Sequence, residues 1–206
     1  MSTENRTYPH VFIIESMDLR NEAKNNYEGQ IISNILHLMD IEHSYYYVRT
    51  RQEFEHFLKE FETSRYRYLH LSCHGSSNAI HLTLDDINFE DLGFLLQDKL
   101  DKKRLFISSC LSTNKNLAKQ IFPVSDCNSI IGPYTEIDID TAAIFWAAFY
   151  QILLKRNPKA MKKEGIKDVL KSITKLFNLP INYFSHSPIS KEGFKQFVFN
   201  QAKESC

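Results

Sequence analysis

The stretch that decides the fold is "YLHLSCHGSS", residues 68–77. A run with strand character ends abruptly at a His-Gly pair. A second run, "RLFISSCLST" (104–113), ends in the same way at a cysteine. Around these two, apolar runs alternate with helical patterns. "HVFIIES" (10–16) and "HSYYYVR" (43–49) read as strands. Residues 21–39 place Tyr27, Ile31, Ile32, Ile35, Leu38 and Met39 at helical spacing, and 51–62 place Phe54, Phe57, Leu58 and Phe61 on one helical face. Strands at 66–73 and 104–109 follow, separated by an alternating hairpin over 79–89 with Asp85 and Asp86 at its turn, and by a short helix over 90–98. A helix near 114–122, a strand over 128–134, helices near 140–155 and 162–177, and a last strand over 193–199 complete the pattern. Strand–helix alternation predicts a mostly parallel sheet with helices on both faces, a three-layer α/β/α architecture.

The chain has 206 residues, 43% hydrophobic and 13% aromatic, enough for one domain with a real core (about 8–200). Lys plus Arg equals Asp plus Glu at 25 each, so no net charge draws it to nucleic acid or to an acidic membrane. A local excess of eight basic residues between Lys155 and Lys175 faces only Glu164 and Asp168, and reads as a solvated helix face. The polar start lacks a secretory h-region. The most apolar run, Ala142 to Leu154, falls short of the roughly 20 residues that span a bilayer. A cytoplasmic protein is the expectation. The four cysteines, Cys73, Cys110, Cys127 and Cys206, match no zinc spacing and should be free thiols; neither metal nor cofactor is expected.

In parallel sheets, chemistry gathers outside the carboxyl ends of the strands. His74 and Cys110 both stand there, and share one rim if their strands are neighbours. A cysteine acts as its thiolate, which a histidine within reach generates before protonating the leaving amine. Gly75, without a Cβ, lets its N–H approach a developing oxyanion, and the N–H of Cys110 is a second donor. A helix beginning in "STNKN" would favour the thiolate further. By alternation, Tyr68, His70, Ser72 and His74 share one face, and Leu69, Leu71 and Cys73 the other, which makes Cys73 a core residue.

Strand then "SCHG", hairpin, strand then "SSC" resembles the caspase-like cysteine peptidases, most closely the CHAT branch related to separases. "IIGPYTEIDIDTAAIFWAAFYQILL" (130–154) is similar to the corresponding CHAT segment. The resemblance covers roughly residues 8–200 and implies the caspase-like fold, His74 as general base and acid, Cys110 as nucleophile and Gly75 as an oxyanion donor. It implies a protein substrate, an activating or inhibitory protein partner, a monomer or a homodimer paired through the last strand, and by analogy a role in bacterial defence or regulated cell death. The signature Q-A-C-[RQG]-G of animal caspases is absent, and the interval from residue 74 to 110 is shorter than their roughly 50. Cleavage after aspartate is therefore not inherited.

Beyond the nucleophile, Glu136, Asp138 and Asp140 either select a basic P1 residue by charge pairing or favour the start of the 140–155 helix, with Asp140 as its cap. That helix, apolar nearly all round, reads as a core element. The competing readings of the whole chain are a catalytically silent interaction module and a flavodoxin-like binding domain. The latter needs a phosphate-cradling loop after the first strand, where "ESMDLRNEAKNN" has no glycine.

Overall fold

The computed structural model describes residues 7–200; Cys206 lies outside them. In chain order the elements are β1 (Tyr8–Ser16), α1 (Leu19–Ala23), α2 (Glu28–Leu38), β2 (His43–Tyr47), α3 (Arg51–Ser64), β3 (Tyr66–Gly75), β4 (Ala79–His81), β5 (Asp86–Asn88), α4 (Phe89–Leu95), β6 (Arg104–Ser108), α5 (Lys115–Ile121), β7 (Ser129–Pro133), α6 (Ile139–Arg156), α7 (Lys163–Leu176), β8 (Ile181–His186) and β9 (Phe194–Phe199). The main sheet runs β2–β1–β3–β6–β7–β8–β9, parallel from β2 to β7. β8 and β9 are antiparallel, and β4–β5 form a hairpin that extends β3 beyond the sheet.

Two apolar layers hold the helices to the sheet. On one side Phe54, Leu58 and Phe61 of α3, Leu92 of α4, and Leu117 and Ile121 of α5 pack on Leu69, Leu71, Leu105 and Ile107. On the other, Ile32 and Leu36 of α2 join Phe145, Trp146 and Phe149 of α6 and Leu170 of α7 over Val11, Tyr68 and Phe106. The alternation along β3 is visible here. Tyr68 enters the second layer, whereas Leu69, Leu71 and Cys73 enter the first. Helix α3 starts at a capping box in which Thr50 and Glu53 satisfy each other's backbone N–H groups.

Four details differ from the sequence reading. The helix over 21–39 is two helices: Asn25 takes a left-handed conformation (φ 55) and Tyr27 is extended, which breaks the turn. Asp86 is not a turn residue but pairs with His81 in the β4–β5 ladder, while the chain reverses over 82–85. α4 ends at Leu95, with Asp98 left-handed (φ 60) soon after. β8 was not anticipated. Two consecutive helices, α6 and α7, separate it from β7, so the chain re-enters the sheet from the opposite end and the strand runs antiparallel. Its interior Asn182 is buried but donates to Thr113 O at 2.8 Å and accepts from Gln196 at 2.9 Å, so the amide is satisfied inside a strand.

Phe106 on the central β6 is fully buried and meets Tyr68, Trp146, Phe149 and Tyr150 edge-on. Phe106→Ala is expected to cost about 3–5 kcal/mol in urea unfolding; a loss under about 1 kcal/mol would show that the aromatic cluster is not the support of this layer.

Candidate active site

β1, β3, β6 and β7 point the same way, so the loops after them meet at one rim. β3 and β6 are direct neighbours, with Ser72 opposite Ser108. Two residues beyond each of these serines come His74 and Cys110. Both line one cleft of about 250 Å³, together with Met17, Asn21, Glu28 and Ile137. The rim therefore brings the two sequence-predicted residues together. They are not hydrogen-bonded to each other. Cys110 Sγ accepts the N–H of Ile137 at 3.4 Å and lies 3.6 Å from its carbonyl oxygen. His74 Nε2 lies 3.1 Å from Asn21 Nδ2 and 3.5 Å from Asp18 Oδ2.

The other thiols are of a different kind. Cys73 and Cys127 are buried, and burial pushes both thiols up to about 12. Cys110 is partly exposed in the cleft. It does not stand at a helix N-terminus. α5 begins at Lys115, capped by Asn114, and Leu111 between them is left-handed (φ 60). A helix dipole acts over about one turn, so the expected help from "STNKN" is lost. A non-glycine residue held in this region stores strain, which tertiary contacts must maintain. The backbone bonds Leu111 N–H to Thr135 O and Thr113 N–H to Pro133 O, both at 3.2 Å, provide them.

Gly75 is demanded by packing. A Cβ there would collide with the hydroxyls of Ser109 and Ser112, which bond each other at 2.9 Å. Ser76 N–H donates to Ala79 O at 2.9 Å. In an antiparallel ladder bonded and non-bonded pairs alternate, so Gly75 opposite Ile80 is a non-bonded pair and its N–H turns away from β4. Gly75, Cys110 and Leu111 line a second, more open cleft of about 440 Å³ with Glu136, Ile137 and Asp138. Of the three acids singled out in sequence, Glu136 and Asp138 thus sit beside Cys110. Asp140 lines neither cleft; its Oδ1 accepts from Thr141 N–H, and the N-cap position belongs to Asp138, which makes no side-chain cap. Asp140 is therefore a first-turn residue of α6 and not its cap.

Sequence reasoning missed a buried polar layer beneath the rim. Glu28 Oε2 accepts from Ser72 Oγ at 3.1 Å and from Ser108 Oγ at 2.9 Å. Its Oε1 lies 3.7 Å from His70 Nε2, and His70 Nδ1 is 3.0 Å from Tyr150 Oη. Glu15, fully buried on β1, accepts Gly29 N–H at 2.7 Å, Gln30 N–H at 3.2 Å and Tyr45 O–H at 2.8 Å. Glu15 appeared only as part of a strand, and Glu28 only as part of the helix read over 21–39. Asp18 gave no signal beyond a polar stretch, and Asn21 none beyond the start of the helix read over 21–39. Among the described residues no cluster of His, Cys, Asp and Glu is arranged to hold a metal ion, and no helix is long and apolar enough to cross a membrane.

This arrangement of sheet and rim is the caspase-like fold. A C11 protease from Parabacteroides distasonis, solved as an inactive zymogen, superimposes with a TM-score of 0.56 at 12% identity over 87% of this chain and 62% of that one. A secreted C11 cysteine protease from Bacteroides thetaiotaomicron, bound to an irreversible peptide inhibitor, gives 0.54 at 10% over 86% and 66%. Caspase-1 from Spodoptera frugiperda gives 0.55 at 13% over 93% and 84%. The chain thus spans less than two thirds of either C11 protein. None of these three is a CHAT protein. No family model and no curated protein matches the sequence.

Burial pushes the Glu15 carboxyl up to about 7, against the opposing pull of its bonds to Gly29 and Tyr45. The folded state then holds a proton that the unfolded chain releases near 4.5, so this group's contribution to stability declines as pH rises from about 4.5 through about 7. Glu15→Gln should remove that decline. Its stability relative to wild type should rise by up to about 3 kcal/mol between acid and neutral pH, read from urea midpoints. A difference that is flat with pH would place the titration elsewhere.

Proposed function

We propose that the chain is a cysteine endopeptidase in which Cys110 attacks a peptide carbonyl and His74 carries the proton. The observation that carries this reading is the meeting of His74 and Cys110 at the ends of paired parallel strands, in one cleft. The thiolate adds to the carbonyl carbon, the tetrahedral oxyanion takes the N–H groups of Gly75 and Cys110, and His74 gives its proton to the departing amine. Water, deprotonated by His74, then cleaves the thioester. The solved neighbours with this fold include cysteine proteases, one bound to a peptide inhibitor, which supports a protein substrate.

Glu136 and Asp138, both exposed on the cleft beside Cys110, favour a Lys or Arg at P1. Because the sulfur and the imidazole each hold other partners at rest, an activating protein or a bound substrate would shift them toward the contact that the free chain makes part of the time. A role in defence or regulated death extends the same reading by analogy.

A complex peptide pool, exposed to wild type and to Cys110→Ala with the new termini read by mass spectrometry, tests this. Cuts made by wild type alone, after Lys or Arg, are expected, and the double variant Glu136→Gln with Asp138→Asn should lose that preference. Identical termini from wild type and Cys110→Ala, with matching behaviour in cells, would instead favour a silent interaction module.

A further inference from the structure

The imidazole of His74 turns its Nε2 toward α1, where two groups compete for it. Asn21 Nδ2 lies 3.1 Å away and Asp18 Oδ2 3.5 Å away. They are chemically opposite, since an amide NH2 donates and an ionised carboxylate accepts. Asn21 presents its amino end because its Oδ1 already accepts from Asn26 Nδ2 at 3.1 Å. Asp18 is the N-cap of α1, and its Oδ1 accepts Asn21 N–H at 2.7 Å. That bond, more than the nearby His74, holds its carboxyl below the usual range, so it is ionised at neutral pH.

A neutral imidazole carries a single N–H proton. With Nε2 facing α1, the nitrogen left for Cys110 is Nδ1. Nδ1 accepts the thiol proton only when the imidazole's own proton resides on Nε2. A carboxylate at Nε2 stabilises that tautomer, and an amide donor at Nε2 stabilises the other.

We propose that Asp18 is the positioning carboxylate of this site, keeping the proton on His74 Nε2, and that Asn21, held by Asn26, stabilises the resting tautomer. The partner taken by Nε2 then determines whether Cys110 has a base. The inference rests on His74 and Cys110 acting as a dyad. With Asp18 engaged, the S–H bond of Cys110 breaks, its proton moves to Nδ1 and the electron pair stays on sulfur. The resulting imidazolium is bonded through Nε2–H to Asp18. With Asn21 engaged, Nδ1 already bears hydrogen and takes no other.

Other charged or titratable groups also face the imidazole. Arg20 lies beside Asp18, Glu28 and Asp138 lie across the cleft, and His81 stands opposite on β4 with its Nδ1 2.6 Å from Asp86. Among the described residues, Asn21 and Asp18 are the groups in contact with Nε2.

The test is the rate of iodoacetamide alkylation at Cys110, followed by peptide mass spectrometry on the full chain from about pH 5 to about pH 10. Asp18→Asn keeps a good helix cap and so should fold. It should slow alkylation about tenfold below neutrality, the size of a charge-assisted hydrogen bond. It should converge with wild type at the alkaline end, where the thiol ionises without a base. Asp18→Glu should restore part of the rate, and Asn21→Ala should raise it above wild type. An Asp18→Asn profile equal to wild type, or slowed equally at every pH, overturns the role of Asp18. Slower alkylation in Asn21→Ala overturns that of Asn21. A wild-type profile unchanged by His74→Ala removes the dyad itself. A His74-dependent limb that ignores Asp18 leaves the dyad standing and removes only this inference.

Discussion

One carboxylate oxygen ties together the two strands that matter most. Glu28 Oε2 receives the hydroxyls of Ser72 on β3 and Ser108 on β6, at 3.1 and 2.9 Å. Losing either hydroxyl would leave the buried Oε2 short of a donor, so the arrangement strongly disfavours any slip between these strands. A shift by one residue would also exchange the two faces of β6 and put Phe106 and Ile107 in the wrong layers. Since His74 and Cys110 each lie two residues past their serine, the same bonds set where the imidazole and the thiol emerge. Because Glu28 belongs to the first turn of α2, the helix is docked by the contact that registers the strands. Glu15 does the equivalent for β1, meeting the free N–H groups at the start of α2.

Above this layer the rim is built by close approach. Ser109 and Ser112 fold the segment after β6 against Gly75, and the segment after β7 closes over it through backbone bonds to Leu111 and Thr113. Asn182 on β8 adds a bond to Thr113 O. The cysteine loop is thus held from β3, β7 and β8, which explains how Leu111 persists in a conformation that a free loop would leave. The cleft owes its shape to these backbone contacts more than to large side chains.

The strands of the parallel core were legible because buried parallel strands are continuous apolar runs, as in "HVFII" and "RLFI". His74 and Cys110 were legible because each interrupts such a run at its carboxyl end. β8 was not, since "INYFSH" follows a proline and alternates with polar residues, and only the tertiary partners of Asn182 make that pattern a strand. The break between α1 and α2 was hidden because Tyr27 fits a helical period while Asn25 and Asn26 permit a turn. Asp18, Asn21 and Glu28 were beyond reach for a different reason. Their roles come from pairings 44 to 80 residues apart in sequence, and no local pattern encodes them.

If His74 and Cys110 act as the proposed pair, each has only a small contact to give up before they engage. The sulfur gives up a weak bond from the Ile137 N–H, and the imidazole exchanges an amide donor for a carboxylate acceptor at the same nitrogen. The bonds given up at rest, from the Ile137 N–H and from the Asn21 amide, are neutral ones that contribute about 1 kcal/mol each, net of their replacement. A bound peptide that displaces the Ile137 contact can therefore recover the cost from a single good bond of its own. On this account no large rearrangement of the sheet separates rest from engagement. The 137 segment contacts the sulfur and α1 contacts the imidazole, so under the proposed dyad a partner that moved either one would change the reactivity of Cys110 without touching the strands beneath.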